Sequence, residues 1–143
     1  MNVLANMSSM YRIDASRAPS TEEEMKALQE FSTIDIPMEY IDIIRLGSDI
    51  EINIGNEMYI RIWGASGCVE LNEAYFIQKY IPNSLAIGDD EGGRTLIYFN
   101  GKNEFGLYIV DFNDLDVDET VFVAPSINDL LTKNVGVEKI LHY

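Results

Sequence analysis

Two helices are predicted in the first third of the chain from the spacing of apolar side chains and from the residues that precede them. The segment 20–24 (STEEE) places a Glu three residues after the Ser and three after the Thr, which is the arrangement of a capping box. Apolar residues follow at positions 25, 28 and 31, a spacing that puts them on one helix face. Pro37 predicts the start of a second helix, because the missing amide donor of proline has no helical partner in a first turn.

Strands are predicted from position 50 onward, where apolar and polar residues begin to alternate. Isoleucines at 50, 52 and 54 alternate with Glu51 and Asn53, and Gly55-Asn56 turns the chain into a second strand at 58–63. Further strands are predicted at 85–88, 95–99, 107–112 and 121–123, and further helices at 71–80 and from Ser126.

This order of elements predicts an α+β fold in a single domain over residues 1–143. We expect a central, largely antiparallel sheet of about five or six strands, with the N-terminal helices and a C-terminal helix packed on it. Residues 1–19 have only a weak pattern and are predicted to form an arm, and residues 132–143 a tail.

Composition supports a folded domain and limits the classes of partner that the chain is expected to bind. The chain has 143 residues, of which 47% are hydrophobic, enough for the core of one domain. Its 24 acidic residues outnumber its 10 basic ones, so the formal net charge is −14 at pH 7. Phosphate contacts need clustered Lys and Arg, so nucleic acids and anionic membranes are disfavoured as partners. A charge of this sign favours a positively charged protein partner instead.

Targeting signals and disulfides are not indicated. The first ten residues lack both a basic region and a continuous apolar run, and no apolar run approaches the roughly 18 residues of a membrane span. Cys68 is the single cysteine, so it has no partner in the chain for a disulfide. We therefore expect a cytoplasmic protein.

Five short motifs occur in an order that resembles the SUKH superfamily. Residues 36–41 (IPMEYI) resemble its L-P-x-x-Y/F helix, and residues 46–49 (LGSD) partly match its Asn-Gly-Gly turn. Residues 85–93 (LAIGDDEGG) are similar to its I-G-x-x-x-G-G strand and turn, and residues 106–111 (GLYIVD) to its G-x-V-Y-x-x-D strand. Residues 123–131 (VAPSINDLL) are close to the start of its last helix. The resemblance covers roughly residues 20–131.

The SUKH superfamily contains yeast regulators of cell-wall glucan synthesis of the Smi/Knr type and many bacterial toxin-immunity proteins. The resemblance implies an α+β fold and a role in binding other proteins. Bacterial members typically neutralise a cognate toxin, often a nuclease or deaminase, whereas fungal members act as hubs in cell-wall signalling.

Catalytic and metal-binding residues are not predicted. His142 is the only histidine and stands next to the last residue, which leaves no histidine for the usual Ser-His or Cys-His arrangements. Cys68 is more typical of a small buried residue than of a reactive thiol. Residues 114–119 begin like a calcium loop, but Glu119 replaces the required Gly and Pro125 the required Glu. We expect no enzymatic activity, no cofactor and no metal.

Candidate protein-binding residues are acidic side chains in two segments, together with one aromatic residue. They are Asp89, Asp90 and Glu91 in the glycine-rich turn, Asp111, Asp114, Asp116, Asp118 and Glu119 further on, and Trp63. No Lys or Arg occurs between Lys102 and Lys133, so the second segment is expected to carry a field of one sign. The same residues are also typical of a hairpin turn, of a solvated strand edge and, for Trp63, of a core position. Tyr59 and Tyr75, like Trp63, are typical either of an interface residue or of a core position.

The hypothesis from these observations is a non-enzymatic protein-binding module, namely an immunity protein that occludes a cationic, nuclease-type bacterial toxin. The 88–93 turn and the acids of 111–119 would then face the basic site of the toxin. The alternative is a regulatory scaffold related to cell-wall glucan synthesis, which would use the same fold as an adaptor.

Overall fold

A seven-stranded antiparallel sheet forms the centre of the molecule. The computed structural model describes residues 2–102 and 104–142. Within these residues the strands are β1 (Tyr11–Arg17), β2 (Ser48–Ile54), β3 (Met58–Ile62), β4 (Ser84–Asp89), β5 (Arg94–Asn100), β6 (Phe105–Asp111) and β7 (Val121–Ala124). Each strand pairs with its neighbours in the chain, and every pair is antiparallel. The expected α+β fold is confirmed, whereas the expected five or six strands are too few.

The additional strand is β1, which lies within the residues predicted to form an arm. It pairs along β2, from Tyr11 opposite Ile54 to Arg17 opposite Ser48. Only Tyr11 of its seven residues is buried, because β1 is an edge of the sheet. An edge strand with one buried residue leaves almost no alternation in burial for the sequence to reflect, so the pattern did not predict it.

Six α-helices accompany the sheet in the described residues. They are α1 (Glu22–Phe31), α2 (Met38–Ile44), α3 (Ala65–Ala74), α4 (Ile77–Tyr80), α5 (Ile127–Lys133) and α6 (Val137–Leu141). The capping box of α1 is present, since the Thr21 hydroxyl accepts from the Glu24 amide and the Glu24 carboxylate accepts from the Thr21 amide. None of the helices in 2–102 and 104–142 is long and apolar enough to cross a membrane.

The segment predicted as a tail contains α6 and is attached to the sheet. Val137 and Ile140 of α6 are buried in the core. Arg94, at the start of β5, donates a hydrogen bond from Nη2 to the carbonyl oxygen of Ile140 at 2.6 Å. The last helix is therefore part of the packed domain.

The core is built from isoleucine-rich strands and from the buried faces of the helices. Ile50, Ile52 and Ile54 of β2 are all buried, as their alternation predicts. In β4, β5 and β6, runs of five consecutive residues are buried, so both faces of these strands are covered. Within the segment from β4 to β6, acidic residues consequently occur only at strand ends and in the loops that join the strands.

A helix side chain fills a gap in the pairing between β3 and β4. These strands are in register over two residue pairs only, where a Cβ on Gly88 would collide with the carbonyl oxygen of Arg61. Further along β4, Asn72 of α3 accepts a hydrogen bond from the Ala86 amide at 3.0 Å and donates one to the Ala86 carbonyl at 2.8 Å. One side-chain amide thus satisfies a backbone position that a neighbouring strand would otherwise satisfy.

Candidate protein-binding surface

The two acidic segments named from the sequence lie at the same end of the sheet. Three of the candidate acids lie at the end of β4 and in the turn to β5, and the other five lie at the end of β6 and in the loop after it. Arg94 of β5 stands opposite Asp111 of β6, and the Phe112 amide donates to the Gly93 carbonyl oxygen at 2.9 Å. The fold therefore brings the segments together, but it gives their carboxylates different surroundings.

Asp90 is an interior residue, which corrects the expectation that it belongs to an exposed acidic tip. Its side chain is only 4% exposed. One carboxylate oxygen accepts from the amides of Gly92 and Arg94 at 2.8 and 2.9 Å, and the other accepts from Arg94 Nε at 2.6 Å. A buried charge needs a charged partner and hydrogen bonds, and the Asp90 carboxylate has both within the turn. Its role is therefore to stabilise the turn.

Asp89 and Glu91 lie closer to the surface, beside a basic residue of β3. Glu91 Oε1 is 3.1 Å from Arg61 Nη2, and Asp89 Oδ2 is 4.0 Å from Arg61 Nη1. The pKa of Glu91 is raised, because partial burial disfavours its charged form and because it shares a hydrogen bond with Glu51 of β2. Arg61 therefore offsets part of the negative charge that this turn would present to a partner.

Trp63 is a core residue that links the two acidic segments, which corrects the expectation that it anchors an interface directly. It is 2% exposed, and its indole Nε1 donates to Asp89 Oδ2 at 2.8 Å. Its ring stacks with the ring of Phe112, and the two ring centroids are 6.4 Å apart. Phe112 in turn contacts Tyr75, with 4.2 Å between centroids. A row of three aromatic side chains therefore runs from the core to the surface.

Two acids of the loop after β6 shape its turns. Asp111 Oδ1 accepts from the Asn113 amide at 2.7 Å, and Asp116 Oδ1 accepts from the Asp118 amide at 2.9 Å. The Asp118 carbonyl oxygen also accepts a hydrogen bond from Lys102 Nζ at 2.8 Å. The loop thus has a defined conformation, although most of its acidic side chains are exposed.

A groove of about 650 Å³ lies between this loop and the connection from α3 to α4. We call it the aromatic–acidic groove; its aromatic residues are Tyr75, Phe76, Tyr80 and Phe112, and its acidic residues are Asp114 and Asp116. Tyr75, Phe76 and Tyr80 are 42%, 62% and 48% exposed, which is high for large side chains that share one groove. Considering residues 2–102 and 104–142, no Lys or Arg forms an ion pair with Asp114 or Asp116.

The connection from α3 to α4 presents its aromatic side chains because neighbouring residues occupy the core. Cys68 and Asn72 of α3 and Ile77 of α4 are buried, which fixes both helices against β4. Phe76 lies between the helices with a φ of 55°, in the left-handed region that costs a residue with a side chain roughly 1–2 kcal/mol. Because Phe76 is mostly exposed, burial of its own ring offsets little of this cost.

The chain matches a known family over most of its length. The matching family model is that of the SMI1 / KNR4 family (SUKH-1), and it covers residues 19–133. The chain belongs to the SMI1/KNR4 family. The SUKH resemblance seen in its motifs is thereby confirmed. No curated protein matches the chain in a sequence comparison.

The SMI1/KNR4 match corresponds to a definite part of the fold. It begins just before α1 and ends with α5, so it contains both acidic segments and the whole aromatic–acidic groove. Strand β1 and helix α6 fall outside the matched residues. These two elements nevertheless pair with the sheet or pack into the core, as described above.

The groove of this SMI1/KNR4-family protein has the chemistry of a binding site for cations. Aromatic faces attract positive charge through the ring quadrupole, and carboxylates accept charge-assisted hydrogen bonds.

Cys68, the single thiol, is buried, and burial raises its pKa to about 12, so it is protonated at neutral pH.

A second groove, of about 600 Å³, contains charges of both signs. It is lined by Arg17, Asp49, Glu51, Arg61 and Glu70, among others. Arg17 lies 3.8 Å from Asp49, and Arg61 is engaged by the β4–β5 turn. Internal pairing therefore weakens the field of this groove relative to that of the aromatic–acidic groove.

Sequence reasoning missed Phe76 and Tyr80, and it named Tyr75 without placing it in a groove. All three residues fall in the helix predicted over 71–80, which the structure divides into the end of α3 and the short α4. Apolar residues in this stretch occupy more positions than the single core-facing stripe of a surface helix can bury. That excess is the signal from which exposed aromatic side chains could have been inferred.

Proposed function

We propose that this SMI1/KNR4-family protein is a non-enzymatic binding module, an immunity protein that occludes the basic site of a cationic, nuclease-type bacterial toxin. The observation that carries the proposal is the aromatic–acidic groove, in which Asp114 and Asp116 stand beside three exposed aromatic side chains. Family membership supports a role in protein binding, which is what the SUKH resemblance implies.

The physical case for a cationic protein partner combines two features of this surface. Tyrosine is enriched among the residues that dominate interface energetics, and Tyr75 and Tyr80 are both exposed here. A surface with a single sign of charge steers an oppositely charged partner and raises its association rate. Since a stable interface buries about 800 Å² on each partner, we expect the contact to extend over the exposed Asp118 and Glu119.

Association kinetics at two salt concentrations test the proposal. The probe is the product of the gene adjacent to that of this chain, which the proposal expects to be a toxin, and the same pair is tested for growth rescue on co-expression. We expect the association rate to fall at least about tenfold between low and high salt, because screening removes electrostatic steering. A rate that barely changes, or a toxin that is not neutralised, would contradict the proposal.

Charge reversal locates the contact. The variant combines Asp114→Lys, Asp116→Lys and Asp118→Lys, and its matched control combines Glu30→Lys, Asp35→Lys and Glu57→Lys. All six residues are exposed and both variants change the net charge equally. Asp114 and Asp116 line the groove and Asp118 follows them in the same loop, whereas the three control positions lie elsewhere in the fold. We expect the first variant to lose binding by about 100-fold or more, and the control to bind nearly as the parent does. Equal losses would show that only overall charge matters.

A further inference from the structure

We infer that the aromatic–acidic groove takes up an arginine side chain, with the guanidinium held between the aromatic rings and the carboxylates of Asp114 and Asp116. The inference rests on the proposed function for the nature of the partner, a cationic protein. Binding of the side chain itself is a property of the groove and can be measured without that partner.

The carboxylates of the groove have unused capacity to accept hydrogen bonds. Across residues 2–102 and 104–142, the Asp114 side chain makes no hydrogen bond or ion pair, and Asp116 uses Oδ1 for the Asp118 amide. The acids of the β4–β5 turn differ, because Arg94 and Arg61 already engage them. A cation supplied from outside would therefore meet carboxylates that the fold has not already neutralised.

The aromatic wall supplies a second, independent attraction for a cation. Tyr75 is held in place by Phe112, which stacks in turn towards the buried Trp63, so its ring is supported from the core outward. The chain also shows that this aromatic cluster accepts positive charge, since Lys79 Nζ lies 5.6 Å from the centroid of the Tyr80 ring. Lys79 forms no ion pair with the two carboxylates, which leaves them for an external group.

Phe76 combines an unusual backbone conformation with a largely exposed ring. A bulky residue with a φ of 55° is unusual, and such outliers concentrate where function requires a particular side-chain position. Here the unusual backbone places a ring at the groove that remains 62% exposed. An incoming side chain that covered this ring would remove apolar surface from water.

Arginine fits these two walls better than lysine does. Its planar guanidinium stacks on aromatic faces and also offers paired donors to a carboxylate, whereas the lysine ammonium is a compact, strongly hydrated point charge. The groove volume of about 650 Å³ lies within the range of about 300–1,000 Å³ typical of ligand pockets. The groove can therefore admit the side chain together with part of the backbone that carries it.

An NMR titration of the full chain with the peptide acetyl-Gly-Arg-Gly-amide tests the inference. Matched peptides carry citrulline, which is neutral but nearly the same shape, or lysine. We expect saturable shifts of the amides of 75–80 and 112–116 with the arginine peptide, and binding at least fivefold weaker for the other two. Equal binding of the citrulline peptide, tighter binding of the lysine peptide, or shifts confined to other regions would overturn the inference.

Variants of the groove separate this inference from the proposed function. Phe76→Ala and Asp114→Asn are each expected to weaken binding of the arginine peptide at least threefold, whereas the control variants Phe105→Leu and Glu57→Gln leave it unchanged. Phe105 is an exposed aromatic residue and Glu57 an exposed acid, and neither lines the groove. Peptide binding that is insensitive to Phe76→Ala and Asp114→Asn would overturn the inference.

If the toxin binds through the acidic surface but the arginine peptide does not bind, the inference fails alone. If the peptide binds but the toxin does not, the proposed function fails alone.

Discussion

The β4–β5 turn and the aromatic–acidic groove contain the same kind of acidic side chain and use it in opposite ways. In the turn, Asp90 is buried against Arg94, and Arg61 lies beside the two neighbouring acids. In the groove, Asp114 and Asp116 have no such partner among the described residues. The difference arises because Arg94 follows Asp90 by four residues in the same hairpin, and because the pairing of β3 with β4 brings Arg61 to Asp89. No arginine forms an ion pair with the two groove acids among the described residues. A run of acids is thus a candidate contact surface only where the fold leaves it without cations.

The largest expected effect is on stability and concerns the turn. We expect Asp90→Ala to lower the free energy of unfolding by about 3–5 kcal/mol, because Arg94 loses the carboxylate that compensates its largely buried charge. Urea denaturation measures the change. The matched variant Asp114→Ala, at an exposed acid of the groove, is expected to change stability by no more than about 0.5 kcal/mol. Similar losses in both variants would remove the distinction between the two regions.

A smaller effect on stability is expected at the groove, where Phe76 is the informative position. Phe76→Asn replaces a bulky residue at positive φ by one that tolerates this conformation, while losing the partial packing of the ring. These contributions oppose each other, so we expect the free energy of unfolding to change by less than about 1 kcal/mol. Thermal or urea denaturation tests this, and a loss above about 2 kcal/mol would show that Phe76 is a structural residue.

The smallest expected effect is a pKa shift within the turn. Glu51→Gln removes a neighbouring carboxyl group that helps to raise the pKa of Glu91, so this pKa is expected to fall towards its ordinary value of 4.5. Carbon NMR of the Glu91 carboxyl group as a function of pH measures the shift, with Glu57→Gln as a control. An unchanged pKa would show that Glu51 does not contribute to the shift.

The same variant has a predictable effect on the pH dependence of stability. A carboxyl group whose pKa is higher in the folded state than in the unfolded state binds protons more tightly when folded. Stability from Glu91 is therefore lost as pH rises from about 4.5 through the folded pKa. We expect Glu51→Gln to reduce that loss, since the two pKa values of Glu91 come closer together.

Elements with a strong local signal could be predicted from the sequence. The capping residues Thr21 and Glu24 determine where α1 begins, and the alternating isoleucines of β2 occupy buried positions of a sheet. Strand β1 lacked such a signal because six of its seven residues are not buried. The first six residues of α3, 65–70, were not predicted as helix. Gly67 has low helix propensity, whereas packing of α3 against α1 and β4 stabilises the helix there.

The candidate site was predictable only in part, for a related reason. The sequence indicates which residues are acidic, but not which of them an arginine reaches. The fold of the β4–β5 hairpin sets Arg94 against Asp90, and the pairing of β3 with β4 sets Arg61 beside Asp89. Likewise, the exposure of Phe76 depends on where α3 ends and α4 begins. Pairing across strands and breaks between short helices are tertiary properties, so neither can be read from local periodicity.

Asn72 restricts which residues this fold can accept at one position. Its side chain matches the donor and the acceptor of Ala86 together, as a peptide group would. Asparagine and glutamine alone combine an amide donor and a carbonyl acceptor in one side chain, and glutamine is longer by one methylene. Aspartate would set a charged acceptor against the Ala86 carbonyl oxygen. Leucine would remove the acceptor of the Ala86 amide and would leave the Ala86 carbonyl with the weaker hydrogen bond from the Cys68 thiol. Position 72 is therefore nearly specific for one amino acid, although it lies in a helix rather than in the sheet that it completes.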